Sequence, residues 1–170
     1  TNDDALVILD TMNFWMNNTL EDLIKVIKRV DVITINDEEA RQLTGECSLV
    51  AAARKMQNMG PKYVVIKKGE HGALLFNGDN VFFAPALPLE EVFDPTGAGD
   101  TFAGGFAGFL TKTNDFSFEN IKNAVVYGSA LASLCVEKFG TERMDTLTSK
   151  ELFERLQLFK NLTQFDIELT

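Results

Sequence analysis

One histidine, His71, is all that the 170 residues contain, and the two cysteines, Cys47 and Cys135, stand far apart with no C-x-x-C spacing. The first shortage leaves no Ser/His or Cys/His pairing to spare and no multi-histidine metal site, so a base is sought in another residue type. The second argues against a redox dithiol or a cysteine metal site and predicts two reduced thiols. Positive charge is scarce as well: 16 Lys and Arg stand against 25 Asp and Glu, the net charge is −9, and there is no Lys/Arg-rich block. That balance disfavours sequence-independent binding to nucleic acid or to an anionic membrane and points to a small-molecule partner. No apolar run approaches the ~20 residues of a membrane span, and the first residues do not read as a signal peptide. The expectation is a cytoplasmic protein. Two phosphate-binding motifs are missing too. No Lys-Ser or Lys-Thr follows a glycine loop as in G-x-x-x-x-G-K-[ST], and Phe102 stands where G-x-G-x-x-G needs its third glycine. The second absence disfavours a dinucleotide-dependent oxidoreductase.

What the chain does have is Asp94-Pro95-Thr96-Gly97-Ala98-Gly99-Asp100, followed by the small, apolar run 101–110. Two glycines around an alanine let the backbone come close to a ligand, and a helix starting there aims unpaired N–H groups and its positive dipole end at an anion. Asp100 then lies in the first turn, beside that anion. A carboxylate there repels a bound phosphate unless its task is to accept a proton from the group attacking it. The stretch therefore suggests phosphoryl transfer to a hydroxyl. Read locally, the same residues are a tight turn with a favourable first-turn acid and glycines that ease helix packing. A carboxylate is a weak base for an alcohol in its ground state, but a loose phosphoryl-transfer transition state needs little deprotonation before bonding advances.

The rest of the chain alternates strand and helix patterns. Apolar residues at 5–9 read as a buried strand, and helical spacing at 19–29 follows, with Thr19 as N-cap. A strand at 32–35 completes a β-α-β unit. Helices at 38–43 and 49–59 end at Gly60-Pro61, and 63–67 returns as a central strand. Strands at 73–76 and 81–84 flank the turn Asn77-Gly78-Asp79-Asn80. Helices follow at 98–111, 118–138 and 149–158. With 45% hydrophobic residues the chain can bury one sizeable core, so residues 1–170 are expected to form a single α/β domain, a three-layer, mostly parallel sheet with helices on both faces. Ligands of such sheets sit at the carboxyl ends of the strands, where Asp10, Asn36, Lys67, Gly69 and 97–100 all fall.

Four elements in this order resemble the ribokinase-like (pfkB-type) carbohydrate kinases. Asp94 to Asp100 is similar to their D-[TP]-[TV]-G-A-G-D signature. Asn36-Asp37-Glu38-Glu39, with Leu43-Thr44-Gly45, resembles the N-x-x-E element and its helix. Val64 to Ala73 resembles the strand and G-x-x-G turn that touch the nucleotide, and Tyr127-Gly128-Ser129-Ala130 through Phe139-Gly140 resembles the helix and loop that wall the adenine pocket. The resemblance implies an ATP-dependent phosphotransferase acting on a hydroxyl of a sugar or nucleoside. Asp100 would be the base, and the amides of Gly97, Ala98 and Gly99 the anion hole. Asn36 and Glu39 would organise Mg²⁺ through water, and Asn36, Lys67, Gly69 and Ser129 would line the ATP site. Asp94 matches a position that in some members helps hold a monovalent cation such as K⁺. Read from the residues alone, Asn36 is a helix N-cap and Glu39 the third member of a capping box. Asp10-Thr11-Met12-Asn13-Phe14-Trp15 falls where many relatives have Asp-Pro-Asn-x-Arg. The arginine is missing; Asp10 and Asn13 are candidates to face the acceptor or the phosphates, and Phe14 and Trp15 read as substrate platform or as core, with core favoured. Ser129 departs from relatives that carry Asn.

Relatives of this kind are about twice as long, and Thr1-Asn2-Asp3-Asp4 leads at once into the first strand. The chain is therefore expected to be the C-terminal portion of a kinase that lacks its N-terminal part and lid, inactive by itself and with an exposed sheet edge. Homodimerisation stays open. The alternative is a nonenzymatic nucleotide-binding or regulatory module of the same fold, disfavoured by Asp100.

Overall fold

The computed structural model describes residues 5–164 and divides into two compact units, one ending at Phe83 and the other beginning at Ala84. Thr1 to Asp4 and residues 165–170, the two ends of the expected 1–170 span, lie outside the described residues.

The first unit is built on the five-stranded sheet β1 (Ile8–Asp10), β2 (Val32–Asn36), β3 (Tyr63–Lys67), β4 (Ala73–Asn77) and β5 (Asn80–Ala84), in that spatial order. β1, β2 and β3 run parallel and β4 returns antiparallel to β3, so the sheet is mixed. β-branched residues fill β2 and β3, whose first four residues are all buried. Between the strands lie α1 (Asn13–Asn18), α2 (Leu20–Ile27), α3 (Asp37–Thr44) and α4 (Leu49–Gln57). Ile33 and Ile35 of β2 pair with Val64 and Ile66 of β3, and these four form a core with Ile27, Ala40, Ala52, Ala53 and Met56 of the helices. Because side chains alternate along a strand, Thr34, Asn36 and Lys67 face the other way, and the Asp10↔Thr34 register places Asp10 with them.

Three expectations need correction here. The first strand is shorter than 5–9 and only half-buried, because it lies at the edge of the sheet with a partner on one side. Thr19 holds the N-cap position of α2 without capping it; its hydroxyl donates back to the Trp15 carbonyl at 3.4 Å. Phe14 and Trp15 belong to the unforeseen α1 and are not core: they are 50% and 46% exposed and meet edge to face.

The second unit contains α5 (Ala98–Thr113), α6 (Phe118–Cys135), the short α7 (Glu142–Asp145) and α8 (Ser149–Thr163). Here α5 and α6 approach closely through glycines, while Phe109 and Tyr127 meet at a ring-centroid distance of 5.1 Å. An ionic network ties the end of α6 to α7 and α8. Arg143 Nε donates to Glu137 Oε2 at 3.0 Å and its Nη2 to Glu151 Oε1 at 3.0 Å, while Arg155 donates to the other Glu137 oxygen. Burial pushes the Glu137 carboxyl up, but hydrogen bonds from Arg143 and Arg155 outweigh it and hold it below the usual range. Hydrogen bonds from the Thr148 hydroxyl and amide bring Glu151 down to about 2, with Arg143 adding. Folded-state values below the unfolded ones mean that this contribution is complete above the ordinary glutamate range and is lost as pH falls toward about 2. Thermal melts should therefore show Arg143→Met less stable than wild type at pH 7, with the gap narrowing only on strong acidification toward about pH 2. A gap independent of pH would show that the network does not act through these carboxylates.

Candidate functional site

Each unit carries candidate residues of its own. In the first unit they lie where β1, β2 and β3 end, at their carboxyl edge, the usual ligand side of parallel strands. Asp10 Oδ1 accepts from Lys67 Nζ at 2.8 Å and from Thr34 Oγ1 at 2.7 Å, so three adjacent strands are cross-linked through one carboxylate oxygen. The side chains of Lys67 and Asp10 keep 16% and 26% of their exposure. Asn36 stands beside Lys67 in register. It caps α3: its Oδ1 accepts from the Glu39 amide at 2.8 Å, and Glu39 Oε2 accepts from the Asn36 amide at 3.1 Å. The capping box is thus made, and Glu39 is buried in it.

After β3 the chain turns through a single 3₁₀ turn, Gly69–His71, closed by the Lys68 amide donating to the Gly72 carbonyl at 2.7 Å. Gly72 sits at φ 84°, ψ −151°, a region essentially restricted to glycine, so the G-x-x-G spacing is a backbone requirement. Asn13 opens α1 and is exposed. Thr11, next to Asp10, is buried and its hydroxyl has no partner among the described residues.

In the second unit, Gly97 is the N-cap of α5 at φ 80°, a left-handed conformation that L side chains rarely adopt. It lets the Asp94 loop run straight into the helix. Asp94 Oδ1 accepts from the Thr96 amide at 2.9 Å; this bond and one from the Thr96 hydroxyl hold its carboxyl below the usual range, with the Gly140 amide contributing. Among the described residues the amides of Gly97, Gly99 and Asp100 make no hydrogen bond to protein, whereas that of Ala98 donates to the Pro95 carbonyl at 3.2 Å. Of the expected cradle 97–99, Ala98 is thus engaged in the turn, while the amides of Gly97 and Gly99, and that of Asp100 after them, stay free among the described residues. The Asp100 carboxylate is exposed and makes no hydrogen bond or ion pair among the described residues. Ser129 lies half-buried in α6 after Gly128. A cavity of about 620 Å³ runs along α5 on Thr101, Gly104, Gly108, Lys112 and Tyr127, and none of 97–100 lines it.

Sequence reasoning missed Thr34 and Thr11. Thr34 had a readable signal, a single hydroxyl inside the apolar run Val32-Ile33-Thr34-Ile35. No group of three or more His, Cys, Asp or Glu side chains able to hold a metal occurs among the described residues. A carboxylate and a carboxamide oxygen on one short helix start suit Mg²⁺ that arrives with phosphates and keeps its waters, not an ion caged by protein alone. Among the described residues no helix is long and apolar enough to cross a membrane.

Comparison with known proteins bears on the family and the fold. Residues 1–147 match the family model described as pfkB family carbohydrate kinase. A cytidine kinase of Thermococcus kodakarensis is 46% identical over 84 residues, 48% of this chain and 30% of that protein. A bifunctional ribokinase/ribose-5-phosphate isomerase A of Fructilactobacillus sanfranciscensis is 31% identical over 149 residues, 85% of this chain and 26% of that one. Among solved structures, Arabidopsis thaliana ribokinase complexed with ribose and ATP superposes with a TM-score of 0.71 at 27% identity, covering 90% of this chain and 48% of that one. The chain spans about half the length of that structure and less of the two curated relatives.

Proposed function

The chain belongs to the pfkB carbohydrate kinase family, and we propose that residues 1–170 are the ATP-binding and catalytic portion of a kinase that moves the γ-phosphoryl group of ATP to a hydroxyl of a sugar or nucleoside. One observation carries this reading: the amides of Gly97, Gly99 and Asp100 at the positive end of a 16-residue helix, and an exposed carboxylate on the same turn, have no partner among the described residues. The amides stabilise negative charge on the transferring group. The Asp100 carboxylate takes the acceptor hydroxyl's proton as the new O–P bond forms and the bond from the γ-phosphorus to the bridging oxygen breaks, releasing ADP. Asn36 and Glu39 would hold Mg²⁺ through its waters, and the ion would neutralise charge on the nucleotide phosphates. Lys67, Gly69 and Ser129 belong to the nucleotide side, and Asn13 is the acceptor-side candidate at the end of β1. Asp94, locked by Thr96 and Gly140, shapes the loop and is the residue that would face K⁺ or another monovalent cation.

The names of the relatives, ribokinase and cytidine kinase, support the substrate class of sugars and nucleosides. Residues 1–170 alone are expected to turn over no substrate, because positioning supplies most of the rate in phosphoryl transfer. The test is ADP formation by the complete polypeptide over a panel of sugars and nucleosides. Stimulation by one acceptor class supports the reading; nucleotide binding with no acceptor-stimulated turnover across the panel would favour a binding module instead.

A further inference from the structure

We infer that Asp10 is a positioning residue that, with Thr34, holds the Lys67 ammonium in place as the fixed cation of the nucleotide site. This inference rests on the kinase reading above and assigns Asp10 to the nucleotide side instead of the acceptor side.

The argument starts from the sheet. Asp10, Thr34, Asn36 and Lys67 share one face at the carboxyl ends of three parallel strands, by register and by alternation. Lys67 is the one cation in this set. The β1–α1 connection, Thr11-Met12, and the start of α1, Asn13-Phe14-Trp15, carry none, so a polyphosphate at this edge finds its positive charge on β3. A lysine stem carries about 2 kcal/mol of rotamer entropy, which a ligand would have to offset in ordering it. The 2.8 Å bond to Asp10 orders Nζ in advance, and Thr34 orders Asp10 through the same oxygen at 2.7 Å.

Exposure decides between a held cation and a decorative surface pair. With 16% and 26% of their side-chain surface open, both groups are largely removed from water, where an ammonium without a counter-ion is costly. Yet the pair is not sealed. Asp10 occupies one of the three Nζ protons, which leaves two for ligand oxygens. The buried Thr11 hydroxyl without a partner, one residue beyond Asp10, is an independent sign that this edge is completed by something other than the described residues.

The experiment is calorimetric binding of ADP and of adenosine to the complete polypeptide, for wild type, Asp10→Asn, Thr34→Val, Lys67→Met, Lys67→Arg and the Asp10→Asn/Lys67→Met double variant, with thermal melts alongside. Lys67→Met should weaken ADP about tenfold, the loss of one charge-assisted hydrogen bond to phosphate, and leave adenosine within about twofold. Asp10→Asn should weaken ADP several-fold in the same selective way, Thr34→Val less so. Adding Asp10→Asn to Lys67→Met should cost nothing further, and Lys67→Arg should retain most of the ADP affinity. A purely structural role would lower the melting temperature and weaken both ligands alike, which would overturn the inference. So would an unchanged ADP affinity in Asp10→Asn, or losses that multiply in the double variant. If wild type binds ADP and only the variants disappoint, this inference alone fails; if wild type binds no adenine nucleotide, the kinase reading fails with it.

Discussion

Asp100→Asn in the complete kinase should lower kcat by about 10³-fold, within the 10²–10⁴ range of a positioned general base, and leave Mg·ATP affinity within about twofold. Asparagine keeps the size of the side chain and its place in the first turn of α5, so the cradle amides of Gly97, Gly99 and Asp100 stay where they are. What disappears is the ability to accept a proton. The carboxylate makes no ion pair among the described residues, so no internal partner is orphaned and the fold should be indifferent to the change. Removing a negative charge from beside bound phosphate should, if anything, tighten nucleotide binding. A fall in ATP affinity matching the fall in kcat would instead place Asp100 in nucleotide binding. Steady-state kinetics with a saturating acceptor, with ADP affinity measured separately, distinguishes the two.

The second large effect is structural. A Cβ on Gly128 would lie 2.7 Å from the Phe102 carbonyl oxygen and 3.2 Å from its ring, and a Cβ on Gly105 would lie 3.3 Å from the Gly128 Cα. Here α5 and α6 touch backbone to backbone, and a backbone oxygen cannot rotate aside. Gly128→Ala should therefore cost about 2–3 kcal/mol even after its better helix propensity, and Gly128→Val should prevent accumulation of folded protein. Gly104 is the control on the same helix. Nothing lies within 4 Å of its Cβ position, so Gly104→Ala is expected to be neutral or slightly stabilising. Urea unfolding of the pair checks both signs. Equal destabilisation by the two alanines would contradict the close approach as the cause.

β3 (63–67) and the helix starts at 49, 98 and 118 stand where the residue pattern alone places them, and the structure adds that Ser48 and Ser117 cap two of these helices. Tertiary context decided the rest. The apolar residues 5–9 look like a buried strand, but three of them fall short of the ladder because register with β2 begins only at Ile8. Phe14 and Trp15 look like core because aromatic residues usually are, and only the short α1 shows them facing outward. Among the candidate residues, the motif singled out Asp100 and 97–99 for their proposed roles, whereas the engagement of the Ala98 amide with Pro95 depends on loop geometry that no spacing encodes. The Asp10–Lys67 bond spans 57 positions and could not be read without the strand register. Asn36 and Glu39 show the converse: a motif that predicts both a cap and a metal neighbour produced the cap, and the metal role is the part left to experiment.

The measurement that bears most directly on the central claim is transfer of label from [γ-³²P]ATP in the complete polypeptide, with the sugar or nucleoside that best stimulates ADP formation. The account predicts label on an acceptor hydroxyl in one-to-one proportion to ADP, with transfer slowed about 10³-fold in Asp100→Asn. Label appearing only as inorganic phosphate, or none transferred while Mg·ATP binds, would contradict it.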